Sequence, residues 1–380
     1  MNMSEDFLEK KPKKVGIITF HASHNYGSML QTYALQTTIE KMGYECEVIN
    51  YRTPKQREFY KPLFKKGNLY ERLKRYILQF KFIKDINKKY DLFEEFLRND
   101  IRTTKKEFTN ELELIKADLD FDYYISGSDQ IWNTLILDFD WVYLLSFVKK
   151  GRKVAYAPSL GPTPELMLED YEKQMISLLN DYDAISVREE RSAKYISSIM
   201  GYNPDIVLDP TLLLDRSEWD NLAGEHPIIE GDYCFCYSPW MNERVLECSC
   251  EWAKKNNMRV VLSKPLHYLS STIKWSKQIE THAAVGPKEF LNICKFAKMV
   301  CCDSFHAVVF SIIFNTQFMA VDGDCDSRIS NLFDITRIEG RSVYPNCAYK
   351  LNDLDYKNAL NGIDRCRKFS LNWLFESLNK

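Results

Sequence analysis

CCDSFHAVVFSIIFNTQFMAVD, residues 301–322, carries the architecture in miniature. Apolar runs at Met299–Cys302 and Phe318–Val321 read as short buried strands, and residues 306–314 between them read as a helix. Strand, helix and strand in so short a span imply parallel strands, because a crossover helix returns the chain to the same end of its sheet. The polar cluster Asp303-Ser304-Phe305-His306 falls where the first of these strands ends. A buried strand end is a costly place for polar side chains unless they are paired or in use. The histidine there asks for a role.

The same alternation continues outward. Strand-like runs at 14–20 (KVGIITF), 46–51 (CEVINY), 122–126, 153–158, 184–187 and 205–209 form one set, with helices over 29–42 and 189–200. A second set at 233–238, 259–263, 299–302 and 318–321 is joined by helices at 243–256, 287–296 and 306–314. This is the α/β pattern of parallel layers, one Rossmann-like unit after another. At 380 residues the chain is also too long for one compact core. Neither unit contains a G-x-G-x-x-G or a P-loop, which argues against a nicotinamide enzyme or a nucleotidase.

Composition narrows the class further. The chain is 45% hydrophobic and 27% charged with a formal net charge of -2, so it reads as soluble and without a nucleic-acid partner. Its start, MNMSEDFLEKKPKK, lacks the apolar core of a signal peptide, and no run approaches the ~18 apolar residues of a membrane span. A cytoplasmic location follows as an expectation. The eleven cysteines are dispersed and odd in number. Cys234/Cys236 and Cys248/Cys250 have one-residue spacers where a zinc knuckle has two, so buried thiols are expected rather than disulfides or metal. The insertion at 61–89 sets ten Lys or Arg against Glu71 and Asp85, and Leu69, Leu73, Tyr76, Ile77, Phe80 and Ile83 recur at helical spacing. Such a helix either lies on the anionic inner face of a membrane or packs as a lid on its own domain, the commoner use of an apolar stripe.

Four polar clusters fall at the carboxyl ends of strands, where open parallel sheets bind ligands. In HASHNYGSMLQ (21–31), His21, His24, Asn25 and Tyr26 precede or open a helix, with Gly27 and Ser28 at its start. Free N–H groups at such a start suit an anion or a sugar hydroxyl. In SGSDQIWN (126–133), the turn Gly127-Ser128-Asp129-Gln130 leads to Trp132, a candidate sugar-stacking face, and Asn133. SVREERS (186–192) places Arg188 directly after a strand, and the fourth cluster is that of His306.

NYGSMLQTYALQ, GSDQIWN, SVREERS, VLDPTLLL, GPKEFL and DSFHAVVFSIIFN, in that order, resemble the signature blocks of the polysaccharide pyruvyl transferase family, from about Lys14 to Arg341. The resemblance implies two Rossmann-like domains facing across a cleft, as in B-type glycosyltransferases. On that reading residues 1–213 form the first domain, with the basic insertion at about 61–99. Residues 214–354 form the second, and 355–380 a last helix packing back toward the first. It also implies a reaction in which phosphoenolpyruvate, as co-substrate, gives its pyruvate to two hydroxyls of one sugar, forming a cyclic ketal and releasing phosphate. The sugar acceptor belongs to a bacterial surface polysaccharide (capsule or exopolysaccharide) or its precursor. A lipid-linked oligosaccharide, a polymer and a nucleotide sugar all remain open.

That chemistry matches the residue types. Phosphoenolpyruvate carries a carboxylate and a phosphate, which the guanidinium fork fits. Arg188 is the expected donor ligand. Protonating the methylene carbon needs a general acid, and a sugar hydroxyl must lose its proton, work that histidine suits. His306 is the expected catalytic group, with Asp303 as its orienting partner. No cofactor and no metal are expected, since arginines and a helix N-terminus can neutralise the donor. The chain departs from the better-known form of the pattern at one place, where Arg-Leu-His is replaced by Ser304-Phe305-His306. Arg328 or Arg341 supplies the missing guanidinium, or Ser304 and the helix start hold the anion. Two rival readings use the same architecture: a nucleotide-sugar-dependent glycosyltransferase and a non-catalytic glycan-binding protein.

Overall fold

The computed structural model describes residues 12–62, 80–265, 277–345, 351 and 354–379. Its strands are β1 (Lys14–Ile18), β2 (Glu45–Val48), β3 (Tyr123–Asp129), β4 (Arg152–Pro158), β5 (Ala184–Val187) and β6 (Asp205–Ile206), then β7 (Tyr233–Tyr237), β8 (Arg259–Leu262), β9 (Ile279–Thr281), β10 (Met299–Cys302), β11 (Phe318–Val321) and β12 (Ser342–Val343). They form two six-stranded sheets, ordered β2-β1-β3-β4-β5-β6 and β12-β11-β10-β7-β8-β9. Every pairing between named strands is parallel, with Val15 opposite Tyr123 in one sheet and Val300 opposite Phe235 in the other. Helices cover both faces, so central strands are buried on both sides and read as unbroken apolar runs.

The two strands absent from the sequence reading, β9 and β12, are edge strands of three and two residues. An edge needs no apolar pattern, so nothing marks them. The run at 205–209 is also shorter as a strand than expected. Only Asp205 and Ile206 pair, and Val207–Asp209 leave the sheet to start a turn that the Asp209 side chain caps.

Each sheet reverses its strand order once, the first between β1 and β3, the second between β7 and β10. Crevices at such reversals are where open α/β sheets place ligands. One apolar core joins the facing layers of the two domains, running from Ile17 and Leu30 to Phe290 and Phe310. Tyr26 is its pivot. The ring stacks on Phe290 with centroids 4.4 Å apart and 8° between planes, and the hydroxyl donates to the Val285 carbonyl at 3.0 Å.

The last helix, Tyr356–Asn379, lies back on the first domain. Leu208 N–H donates to the Ser370 hydroxyl at 2.9 Å, Arg367 Nε to the Leu212 carbonyl at 2.6 Å, and Trp373 Nε1 to Asp205 at 2.9 Å. Residues 63–79 of the basic insertion lie outside the described residues, and with them most of the stretch read as membrane-facing. Beyond it the Ile83–Asp100 helix buries Phe93, Phe96 and Leu97 against the first domain's core. Among the described residues, no helix is long and apolar enough to cross a membrane.

Candidate active site

The first domain's contribution begins at the β1/β3 reversal. Asn25 holds an extended backbone and its side-chain oxygen accepts from Gly27 N–H at 2.9 Å and Ser28 N–H at 3.4 Å, capping the Tyr26–Lys41 helix. These donors are therefore occupied, and the expectation that they lie free for an anion is corrected. Gly27 has a different purpose: any Cβ there would overlap the ring of His306 from the opposite domain. Only glycine lets the two elements approach so closely. The Ser28 hydroxyl ties this helix to Asp129 at the end of β3. Ser128 is buried, donating to the Ala157 carbonyl at 3.0 Å.

Across the cleft, His306 stands in the first turn of the Phe305–Phe314 helix, with Nε2 3.6 Å from Asp209 Oδ2. Arg188, just beyond β5, donates Nη1 to the same oxygen at 2.9 Å. Asp209 Oδ1 accepts from the Thr211 N–H at 3.0 Å and hydroxyl at 2.7 Å. Burial works against the Asp209 carboxylate, but His306, Arg188 and Thr211 outweigh it and hold it far below the usual carboxylate range. Burial likewise opposes the Arg188 charge, and Asp209 and Glu189 more than restore it. Two nitrogens here remain unsatisfied: Arg188 Nη2 and His306 Nε2 are both buried with no hydrogen-bond partner. A buried polar group left unpaired costs about 1–3 kcal/mol, a cost that any group bonding to these nitrogens would remove.

The carboxylate beside His306 is thus Asp209, not Asp303. Asp303 Oδ2 instead accepts from Ser238 at 3.1 Å and Asn242 at 3.3 Å, at the β7/β10 reversal. Burial pushes its carboxyl up, and Oδ1 has no partner. Sequence reasoning quoted the block VLDPTLLL but gave Asp209 no task. An Asp-Pro-Thr at a strand end was the available signal.

Of the two arginines considered for the missing guanidinium, Arg328 is the one brought to the cleft. The Phe305 ring lies between it and Arg188, with centroid distances of 5.8 and 5.5 Å. Arg328 is clasped by Asp326 at 3.0 and 2.6 Å. Arg341 is at the opposite end of its sheet, donating to the Phe318 carbonyl at 3.0 Å where β11 begins and to Gln317 at 2.8 Å. That expectation is corrected. Trp132 is also no stacking face: it is fully buried and donates Nε1 to Ser126 at 2.9 Å. Gln130 and Asn133 bond to each other at 2.9 Å beside it, and Gln130 reaches a cavity of about 260 Å³ shared with Glu189, Asn242, Asp303 and Arg328. Ser304 is buried and makes no side-chain cap. Beyond Phe305 a second cavity of about 450 Å³ touches Arg188, Asp209 and Arg328.

A family model described as polysaccharide pyruvyl transferase matches residues 25–324. The chain belongs to that family. No curated sequence matches it. Three solved structures share the two-domain architecture of B-type glycosyltransferases with this family member. HepE of Anabaena, in complex with UDP and glucose, is 10% identical and aligns over 97% of each chain with a TM-score of 0.53. MnaA of S. aureus, with UDP, is 11% identical over 93% of this chain and 88% of that one, TM-score 0.52. The UDP-GlcNAc 2-epimerase of Methanocaldococcus jannaschii, with UDP-GlcNAc and UDP, is 13% identical over 93% and 92%, TM-score 0.51. At these identities the likeness is one of fold. The family makes the chain a transferase, with pyruvyl transfer onto polysaccharide as its chemistry.

Proposed function

We propose that the cleft moves pyruvate from phosphoenolpyruvate to a pair of hydroxyls on one sugar of a surface polysaccharide or its precursor, closing a cyclic ketal. The observation that carries this reading is the shared Asp209 oxygen. An imidazole and a guanidinium from opposite domains converge on it: Arg188 bonds it through Nη1 and keeps Nη2 unpaired, and His306 Nε2 stops 3.6 Å short with no hydrogen-bond partner. Arg188 offers its free Nη2 to the donor's phosphate or carboxylate. Imidazolium at His306, held by Asp209, gives its proton to the methylene carbon of phosphoenolpyruvate, which becomes the methyl group and leaves the adjacent carbon electrophilic. The first sugar hydroxyl adds there and returns its proton to the imidazole. The carbon–oxygen bond to phosphate then breaks, the second hydroxyl closes the ring, and its proton leaves with the phosphate. Asp209 stays ionised throughout and stabilises the imidazolium.

The deciding experiment follows phosphate release from phosphoenolpyruvate over galactosyl, mannosyl and glucosaminyl acceptors, with mass spectrometry of the product. The expected product is the acceptor plus pyruvic acid less one water. A melting temperature indifferent to phosphoenolpyruvate but raised by a uridine or guanosine diphosphate sugar would replace this reading with glycosyl transfer.

A further inference from the structure

The cleft holds two cavities of opposite charge, with Arg328 in the wall of both. The larger, of about 450 Å³, sets the guanidiniums of Arg188, Arg328, Arg337 and Arg365 against the carboxylates of Asp209 and Asp334. The smaller, of about 260 Å³, reverses the ratio, with Glu189, Asp303, Asp322 and Asp326 against Arg191 and Arg328. Both of its guanidiniums are already held, Arg191 by Glu165 at 2.6 Å and Arg328 by Asp326 at 2.6 Å. Glu189 is matched to Arg188 at 3.5 Å and Asp322 to Arg244 at 2.7 Å. Asp303 differs from these carboxylates: among the described residues it has no cation, its partners are the neutral Ser238 and Asn242, and Oδ1 has none. Gln130, from the facing domain, accepts from Asn133 through Oε1, and among the described residues its Nε2 makes no bond. A carboxylate accepts from hydroxyl or ammonium groups and repels a second carboxylate.

We propose that the smaller cavity is the acceptor pocket, that it takes a single neutral or amino sugar ring, and that Asp303 makes it reject a uronic acid. This rests on the pyruvyl-transfer reading. The anionic donor goes to the arginine-rich cavity and the acceptor to the carboxylate-rich one, so each cavity repels the other's substrate. Phe305 borders the larger and Asp303 the smaller, so the two substrates meet at the start of the His306 helix. Asp303 accepts from a sugar hydroxyl, and Gln130 Nε2 donates to a sugar oxygen. The volume falls below the about 300–1,000 Å³ of pockets for drug-sized ligands, so one ring is seated and the rest of a chain stays outside.

Two cysteines report on the two cavities. Cys325 is exposed and lines the smaller, and Cys366 is half-buried and lines the larger. The test follows maleimide labelling of both, located by peptide mass spectrometry, with methyl glycosides of galactose, mannose and N-acetylglucosamine. Each glycoside is set beside its 6-uronic acid and the 6-uronamide, which has the acid's shape without its charge. At least one glycoside and its uronamide should slow labelling of Cys325 and leave Cys366 unchanged. The uronic acid should need at least about tenfold more for the same protection, the effect of one unfavourable charge contact. In Asp303→Asn that gap should close to within about twofold. The KM for the neutral acceptor should rise roughly tenfold there, while the KM for phosphoenolpyruvate holds. The acid–amide comparison in wild type decides the matter even if the variant does not fold. Cys325 left unprotected by every glycoside, equal protection of Cys366, equal protection by acid and amide, or a gap that survives Asp303→Asn each overturn the assignment. If no acceptor yields phosphate with wild type, the transfer reading fails, and the labelling still decides what the cavity binds.

Discussion

Two groupings of a histidine, an arginine and a carboxylate, both packed into the fold, differ in how their bonds are completed. In the first domain His24 Nε2 lies 2.9 Å from Glu94 Oε1, and Arg52 clasps the same carboxylate at 3.0 and 2.5 Å. His24 is stacked on Phe93 at 4.9 Å and on Tyr60 at 5.5 Å. In the second grouping Arg188 makes one bond to Asp209, His306 stops 3.6 Å short of it, and the histidine belongs to the other domain. What distinguishes them is the imidazole: His24 Nε2 is bonded to its carboxylate and the arginine beside it leaves only Nε unpaired, whereas His306 Nε2 and Arg188 Nη2 both lack a partner.

The sharpest way to break this contrast is to remove each histidine. His306→Ala should lower kcat by roughly 10²- to 10⁴-fold, the usual worth of a positioned acid or base, with little change in melting temperature. His24→Ala should do the reverse. Near-normal turnover in His306→Ala would erase the distinction. Next comes Gly27→Ala, whose added methyl overlaps the His306 ring. Displacing a reacting group by about 1 Å costs on the order of 10²-fold, so kcat/KM should fall by about that factor while the protein stays folded.

A smaller effect is expected from Arg188→Lys. An ammonium cannot reproduce the fork, and losing one charge-assisted contact costs about 1.5–3 kcal/mol, roughly ten- to a hundredfold in the KM for phosphoenolpyruvate. The matching change beside His24, Arg52→Lys, should leave kinetics alone and lower the melting temperature.

The least effect comes from acid. His21 is fully buried, bonded to Thr19 and Asn50, and burial holds it below its ordinary 6.5 despite those bonds. A depressed histidine is neutral when folded and takes up a proton on unfolding, so its share of stability is intact above about pH 6.5 and is lost as pH falls toward its folded value. The melting temperature should drop between pH 7 and 5, and less steeply in His21→Gln.

The sequence made the strands of the sheet centres legible because burial on both faces demands unbroken apolar runs, as at Met299–Cys302 and Phe318–Val321. It also pointed to His306 and Arg188, since polar residues at buried strand ends are rare without a reason, but it named Gly27 for an N–H that Asn25 occupies. It misled where local chemistry has two outcomes. Trp132 beside a polar turn is equally compatible with a binding face or a core, and only the partner Ser126 decides. Asp303 is three residues from His306 yet turns toward Ser238, while Asp209 arrives from 97 residues away in sequence, counting 306 less 209. Lys89 closes the basic insertion at 61–89, and only the packing of the folded chain sets its ammonium over the Tyr26 ring.

The Tyr26 stack determines how the halves can move. Prising them apart along that seam would unstack the ring from Phe290 and strand its hydroxyl from Val285, so separation there costs more than a slide that keeps both contacts. The Lys89 ammonium lies over the same ring, so the seam that joins the two halves also carries a charge.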